Sequence, residues 1–152
     1  MREKEFQPLI PNGFKDIQEQ DLFNEFVSPF NNGFSHRKNL LIDFERFLNE
    51  FKTVEISAEV WIDGSFATYA PDPADIDVVF FLDFNEVNLL NIEKKQKYER
   101  LFTSRKFIRN LYKVEVFVAN KNNEVETKHW MKIFGTSYDN ITVKGIFRLF
   151  YL

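Results

Sequence analysis

WIDGSFATYAPDPADIDVVFFL, residues 61–82, is the stretch whose reading decides this chain. An apolar run stops at Gly64-Ser65, a loop broken by Pro71 and Pro73 follows, and a second apolar run carries Asp75 and Asp77. Side chains on a strand alternate between faces, so the two aspartates share one side while Ile76 and Val78 share the other. Two acids side by side on a hydrophobic strand repel each other and destabilise it unless a cation lies between them. The common occupant is a divalent metal with phosphate attached.

Two further features complete the pattern. Gly64 has no Cβ, so its backbone can come close to a ligand, and Ser65 offers an N–H and a hydroxyl to a phosphate. Nine residues separate Ser65 from Asp75, and a third acid, Glu115, stands on a later apolar run between Val114 and Val116. Three carboxylates so placed suit a site for two Mg²⁺ or Mn²⁺ ions. Asp75 and Asp77 would bridge both ions, and Glu115 would help hold the one that activates an attacking hydroxyl.

Gly-Ser, a spacer and Asp-x-Asp inside an apolar strand resemble the DNA polymerase β-like nucleotidyltransferase superfamily. The fuller run from Val60 to Asp83 is similar to a small bacterial branch of it, as are Trp130, Phe134-Gly135 and Lys144-Gly145. The superfamily includes minimal enzymes of toxin–antitoxin and anti-phage systems. The resemblance implies an α+β fold, a small mixed sheet with helices packed on one side. It also implies Mg²⁺ dependence and transfer of a nucleoside monophosphate from a nucleoside triphosphate, with Asp75, Asp77 and Glu115 as metal-binding catalytic residues and Gly64 and Ser65 as nucleotide contacts.

Around this stretch the chain divides simply. Residues 1–34 read as an irregular arm, interrupted by Pro8, Pro11 and Pro29, with one short helix near 17–26 and with Phe14, Phe23, Phe26 and Phe30 as anchors. Residues 35–152 form the minimal domain. Ser35 is an N-cap candidate for a helix from His36 to Lys52, in which Leu40, Leu41, Phe44, Phe47, Leu48 and Phe51 follow the helical period. Strands are expected at 56–62, over the apolar run that carries both Asp75 and Asp77 and ends at Leu82, at 114–119 and at 142–152. A helical region capped by Asn85 is expected to run to Phe102, and a helix from Glu124 to Phe134 to stop at Gly135.

Between Lys94 and Lys113, eight basic residues face the single acid Glu99. A solvated helix face explains most of them, and Arg100, Arg105, Lys106 or Arg109 could offset phosphate charge. Arg105 is the one singled out for nucleotide binding, together with Lys144 on the last strand. His129 has no second histidine at ligand spacing and belongs on a helix surface, and Trp130 belongs in the core.

Composition bounds the rest. With 152 residues the chain makes one domain, and a net charge of −3 confines any nucleic-acid contact to a local patch. The absence of cysteine excludes disulfides and thiolate metal sites. MREKEF is no signal peptide, and no apolar run approaches the ~20 residues of a membrane helix, so a soluble cytoplasmic protein is expected. Nineteen phenylalanines point to a core filled by few, large side chains.

Many members of the superfamily carry a helical domain after the core, and the length remaining beyond Glu115 leaves no room for one. Base selection is then expected from the arm, from a second subunit in an oligomer, or to be weak. Three acceptors stay open. They are a hydroxyl of a nucleotide or single-stranded nucleic-acid primer, a hydroxyl on a partner toxin protein as in adenylylating antitoxins, and the chain's own Tyr151, whose self-primed product would control an effector protein in anti-phage defence. A catalytically silent nucleotide-binding or inhibitor module is the alternative of a different class.

Overall fold

The computed structural model describes residues 6–136 and 144–152. In chain order it has strand β1 (Phe14–Asp16), a 3-10 turn at Glu19–Asp21, helices α1 (Leu22–Phe26) and α2 (Phe34–Lys52), and strand β2 (Ala58–Asp63). After a second 3-10 turn at Ser65–Ala67 come β3 (Ile76–Leu82), α3 (Phe84–Asn88), α4 (Ile92–Phe102), α5 (Arg105–Tyr112), β4 (Val114–Asn120), α6 (Glu124–Phe134) and β5 (Ile146–Tyr151). The fold is α+β, built on one mixed sheet in the order β1-β5-β2-β3-β4. The β5–β2 and β2–β3 pairs are antiparallel, whereas β1–β5 and β3–β4 are parallel.

Alternation along β2 and β3 gives the sheet two apolar faces. Val60, Ile62, Val78 and Phe80 point into the main core, which α1 to α5 cover with Phe26, the α2 stripe, Val87, Leu101, Phe102, Ile108 and Tyr112. Phe47, Phe51, Phe80 and Phe102 meet there largely edge to face, the geometry aromatic quadrupoles favour, so phenylalanine is indeed the main filler. Trp61, Val79 and Phe81 point the other way. An apolar patch of that size needs cover, and α6 supplies part of it through Trp130 and Phe134. Helices on one side therefore describes α1 to α5, with α6 crossing to the opposite face.

The long-range stripe of α2 is buried at every expected position, but the helix begins at Phe34 with Gly33 as its N-cap, so Ser35 lies inside the first turn. The single helical region expected from Asn85 is two helices. Asp83 caps the first by accepting from Asn85 N, and Asn91 caps the second by accepting from Lys94 N. Residues 105–112, read only as a basic run, form α5. The segment 6–33 adds β1 to the sheet edge and buries Leu22, Phe26 and Val27 completely, while Phe23 remains exposed. Of the last expected strand, residues 142 and 143 lie outside the described residues. No described helix is long and apolar enough to cross a membrane.

Candidate functional site

Strand register assembles the site. Asp63, the last residue of β2, lies opposite Asp77 on β3, and Asp77 lies opposite Glu115 on β4. Residues paired across strands share a face, so three carboxylates form a row at one end of the sheet. Asp75, two residues before Asp77, adds a fourth. Ligand oxygens of Asp75, Asp77 and Glu115 all lie within 4.8 Å of one another, close enough to share a cation.

The electrostatics of this row are unfavourable as it stands. Burial, helped by the charges of Asp75, Glu115 and Asp63, pushes the Asp77 carboxyl up to about 8. Asp63 is almost fully enclosed, and its burial pushes it up to about 7 against the pull of Lys144, whose Nζ lies 3.0 Å from Asp63 Oδ2. Among the described residues, Asp77 Oδ1 and Asp63 Oδ1 are both buried without a hydrogen-bond partner. Buried polar atoms are nearly always paired, so two orphaned carboxylate oxygens beside a carboxylate triad fit a site built for a cation. The all-oxygen donor set suits Mg²⁺ or Mn²⁺.

The surrounding cations come from two elements. Arg109 on α5 donates from Nε to Asp75 Oδ2 at 3.0 Å, and Arg105, one turn earlier, reaches Glu115 Oε1 at 3.3 Å while lying over the Phe117 ring. Both arginines are about half exposed, so each pair adds little to stability; their value is positive charge at the rim. Arg100 and Lys106 are exposed with no hydrogen bond or ion pair among the described residues.

Gly64 sits where only glycine fits. Its φ of +76° disfavours an L side chain, and a Cβ there would stand 2.2 Å from Asp77 Oδ2. The Gly64-Ser65 backbone is thereby brought against the carboxylate row. Ser65 opens the second 3-10 turn, and its hydroxyl has no partner among the described residues.

The structure thus brings together Asp75, Asp77, Glu115, Gly64, Ser65, Lys144, Arg105 and Arg109. It does not bring Tyr151 to them. Tyr151 pairs with Ala58, at the other end of β2 from Asp63, roughly 17 Å away at ~3.3 Å per residue. Its hydroxyl donates to Glu19, its ring packs on Phe51, and burial beside Glu19 raises its pKa far above the ordinary phenol range. As an acceptor for this site within one chain, Tyr151 is therefore corrected: it is too distant and too poorly ionised. His129 is exposed on α6, and Trp130 is half-buried against Phe117 and Phe134.

Two residues escaped the sequence reading. Asp63 was legible as the residue before Gly64 on the same strand face as Trp61. Arg37 was legible as an extension of the α2 stripe, one turn ahead of Leu40 and Leu41. It is fully buried, and all its hydrogen bonds go to backbone carbonyls.

The chain matches the family of unknown function DUF6932 over residues 4–150 and belongs to it. No curated protein and no solved structure matches it.

Proposed function

We propose that this member of the family is a divalent-metal-dependent nucleotidyltransferase. It would move a nucleoside monophosphate from a ribo- or deoxyribonucleoside triphosphate to a hydroxyl, best a hydroxyl of a nucleotide or oligonucleotide without a template. The observation that carries this reading is the Asp75–Asp77–Glu115 triad with a buried Asp77 oxygen that has no partner among the described residues. A carboxylate cluster kept in that state implies a cation with charge to spare for phosphate.

Asp75, Asp77 and Glu115 would hold the metal ions, and Asp63 would stand behind Asp77 as a further negative charge held in place by Lys144. Divalent ions held there would lower the pKa of an acceptor hydroxyl and neutralise triphosphate charge. In the transfer, the acceptor oxygen would bond to the α-phosphorus as the bond to pyrophosphate breaks, pyrophosphate would leave, and the hydroxyl proton would pass to solvent water. Gly64 and Ser65 would lie against the phosphates, with Ser65 donating its free hydroxyl. Arg105 and Arg109 would turn from Glu115 and Asp75 toward the triphosphate once cations neutralise those carboxylates. The absence of cysteine suits a cytoplasmic setting.

Incubation with Mg²⁺ or Mn²⁺ and each labelled ribo- and deoxyribonucleoside triphosphate, with and without an oligonucleotide, tests the proposal on a denaturing gel. Labelled product is expected from the wild type and from Tyr151→Phe, and none from Asp75→Ala/Asp77→Ala. No labelled species under any condition, with metal binding intact, would sink the enzyme reading. Label appearing only on an added partner protein would move the acceptor from nucleic acid to protein.

A further inference from the structure

Arg37 is a buried cation with no carboxylate partner among the described residues. From the first turn of α2 its guanidinium donates to the carbonyls of Phe66 at 2.9 Å, Thr68 at 2.6 Å and Ala70 at 2.7 and 3.0 Å, and makes a longer contact with Ser65 at 3.5 Å. A further bond goes to the Phe26 carbonyl at the end of α1, at 3.0 Å. The Phe30 ring lies 3.7 Å below the charge, and the Phe66 ring is also near it. Burial lowers the Arg37 pKa only to about 10, so the group stays charged at neutral pH.

Such an arrangement is costly as scaffolding. A loop can be fastened by apolar side chains without burying a charge, and a buried charge is usually paired with an opposite one. What a guanidinium adds is its planar fork of five donors, which fixes the orientation of several carbonyls at once. All of those carbonyls except that of Phe26, whose ring stacks on Phe66, belong to the segment that starts at Gly64-Ser65 and ends at Asp75. The neighbouring His36 is hydrogen-bonded to the Pro73 carbonyl, two residues before Asp75. Gly33, the α2 N-cap, admits the Pro71 carbonyl so closely that a Cβ would stand 1.9 Å from it. The start of α2 therefore grips the loop along its length. At the loop's other end Gly64 is in close approach to Asp77.

We propose that Arg37 is a positioning residue for the triphosphate, holding residues 65–70 in the one backbone arrangement that sets Ser65 against the carboxylate row. The inference rests on the nucleotidyl-transfer reading of the site. Arg37 touches neither metal ligands nor substrate and acts through the carbonyls it gathers. Asp77 and Glu115 are carried by β3 and β4, and Asp75 directly precedes β3, five residues past the last carbonyl that Arg37 holds, so metal binding and triphosphate binding respond differently to its loss. Phe26 and Phe30 also come from the N-terminal segment, so this segment takes part in shaping the phosphate loop.

The test is Arg37→Lys, which keeps the charge and loses the fork. Two affinities are measured on folded protein: Mn²⁺ by electron paramagnetic resonance, and fluorescent non-hydrolysable analogues of ATP, GTP, CTP and UTP in the presence of Mn²⁺. Mn²⁺ affinity is expected to stay within about twofold, while the affinity for the analogue the wild type binds falls by about tenfold or more, the usual cost of disturbing a supporting contact. Unchanged analogue affinity overturns the proposal. So does a parallel loss of Mn²⁺ and analogue, which would make Arg37 a support for the fold alone. If Arg37→Lys does not fold, Phe30→Leu removes the ring that fixes the plane of the guanidinium, which loosens the fork's hold on the carbonyls while keeping the charge, and the same split decides. A wild type that binds Mn²⁺ but none of the analogues overturns the nucleotidyl-transfer reading and this inference with it, an outcome distinct from failure in the variant alone.

Discussion

Replacing Asp77 by asparagine should make the metal-free protein more stable, not less. Asp77 is half-buried with its Oδ1 enclosed, and its carboxyl is pushed up to about 8 by desolvation first and then by Asp75, Glu115 and Asp63. In the unfolded chain the same group titrates near its ordinary value of 3.8. Between these two values the unfolded state releases a proton that the folded state keeps. Stability from this group is therefore full below pH ~4, falls as pH rises, and levels off above ~8. A gap of about four units corresponds to an upper bound of roughly 5 kcal/mol at 1.36 kcal/mol per unit. Structural relaxation around the carboxyl reduces what is observed, and about 2–3 kcal/mol at pH 8.5 is the expected value. The amide of Asp77→Asn carries no charge, and its NH₂ can donate to a neighbouring carboxylate. For a chain of 152 residues, 2–3 kcal/mol is about 5–10 °C in Tm. The assay is thermal unfolding in chelator from pH 4 to 9, repeated with Mg²⁺ or Mn²⁺. The wild type should lose stability toward high pH in chelator and regain it with metal, whereas Asp77→Asn should show a flatter pH profile and a much smaller metal response. A variant that melts lower than the wild type at pH 8.5 in chelator would refute the reasoning, because the carboxylate would then be a net stabiliser without any cation.

Two further perturbations probe the surroundings of the row. Gly64→Ala forces a side chain into a backbone of φ +76° and sets a Cβ 2.2 Å from Asp77 Oδ2, so it should cost about 1–3 kcal/mol in chemical denaturation and weaken Mn²⁺ binding. Equal stability and equal Mn²⁺ affinity would show that the loop can leave Asp77 freely. Lys144→Met removes the partner of the enclosed Asp63 carboxylate and should destabilise by about 3 kcal/mol at pH 8. Because Asp63 already titrates near 7 and would rise further without Lys144, acidification to pH 5 should restore much of that loss, which denaturation at the two pH values would reveal.

Much of the site could be read along the chain, and the readable parts share a cause. Asp75 and Asp77 fall on one face because strand alternation is a two-residue property, visible wherever an apolar run is long enough. The stripe from Leu40 to Phe51 is visible for the same kind of reason at the helical period, and every member of it is buried. Gly64 announced a close approach because that is the main reason to place glycine after a strand. Boundaries were less legible. Asp83 and Asn91 both cap helices, and nothing local says that the chain turns between them at Leu89 and Leu90 rather than continuing from Asn85.

What the sequence determined by itself, then, was periodic: which side of a strand or helix each residue occupies, and hence that two acids and an apolar stripe must be accommodated. Tertiary structure alone decided which elements lie side by side and in what register. Register set Asp63 opposite Asp77 and Asp77 opposite Glu115, and antiparallel pairing of β5 with β2 sent Lys144 to the acidic end and Tyr151 to the other. Packing of α2 against the loop put Arg37 among five carbonyls, although its place on the apolar stripe was open to view. The physical reason is that periodicity is a property of one segment, whereas register and burial are settled by the joint packing of segments far apart in the chain.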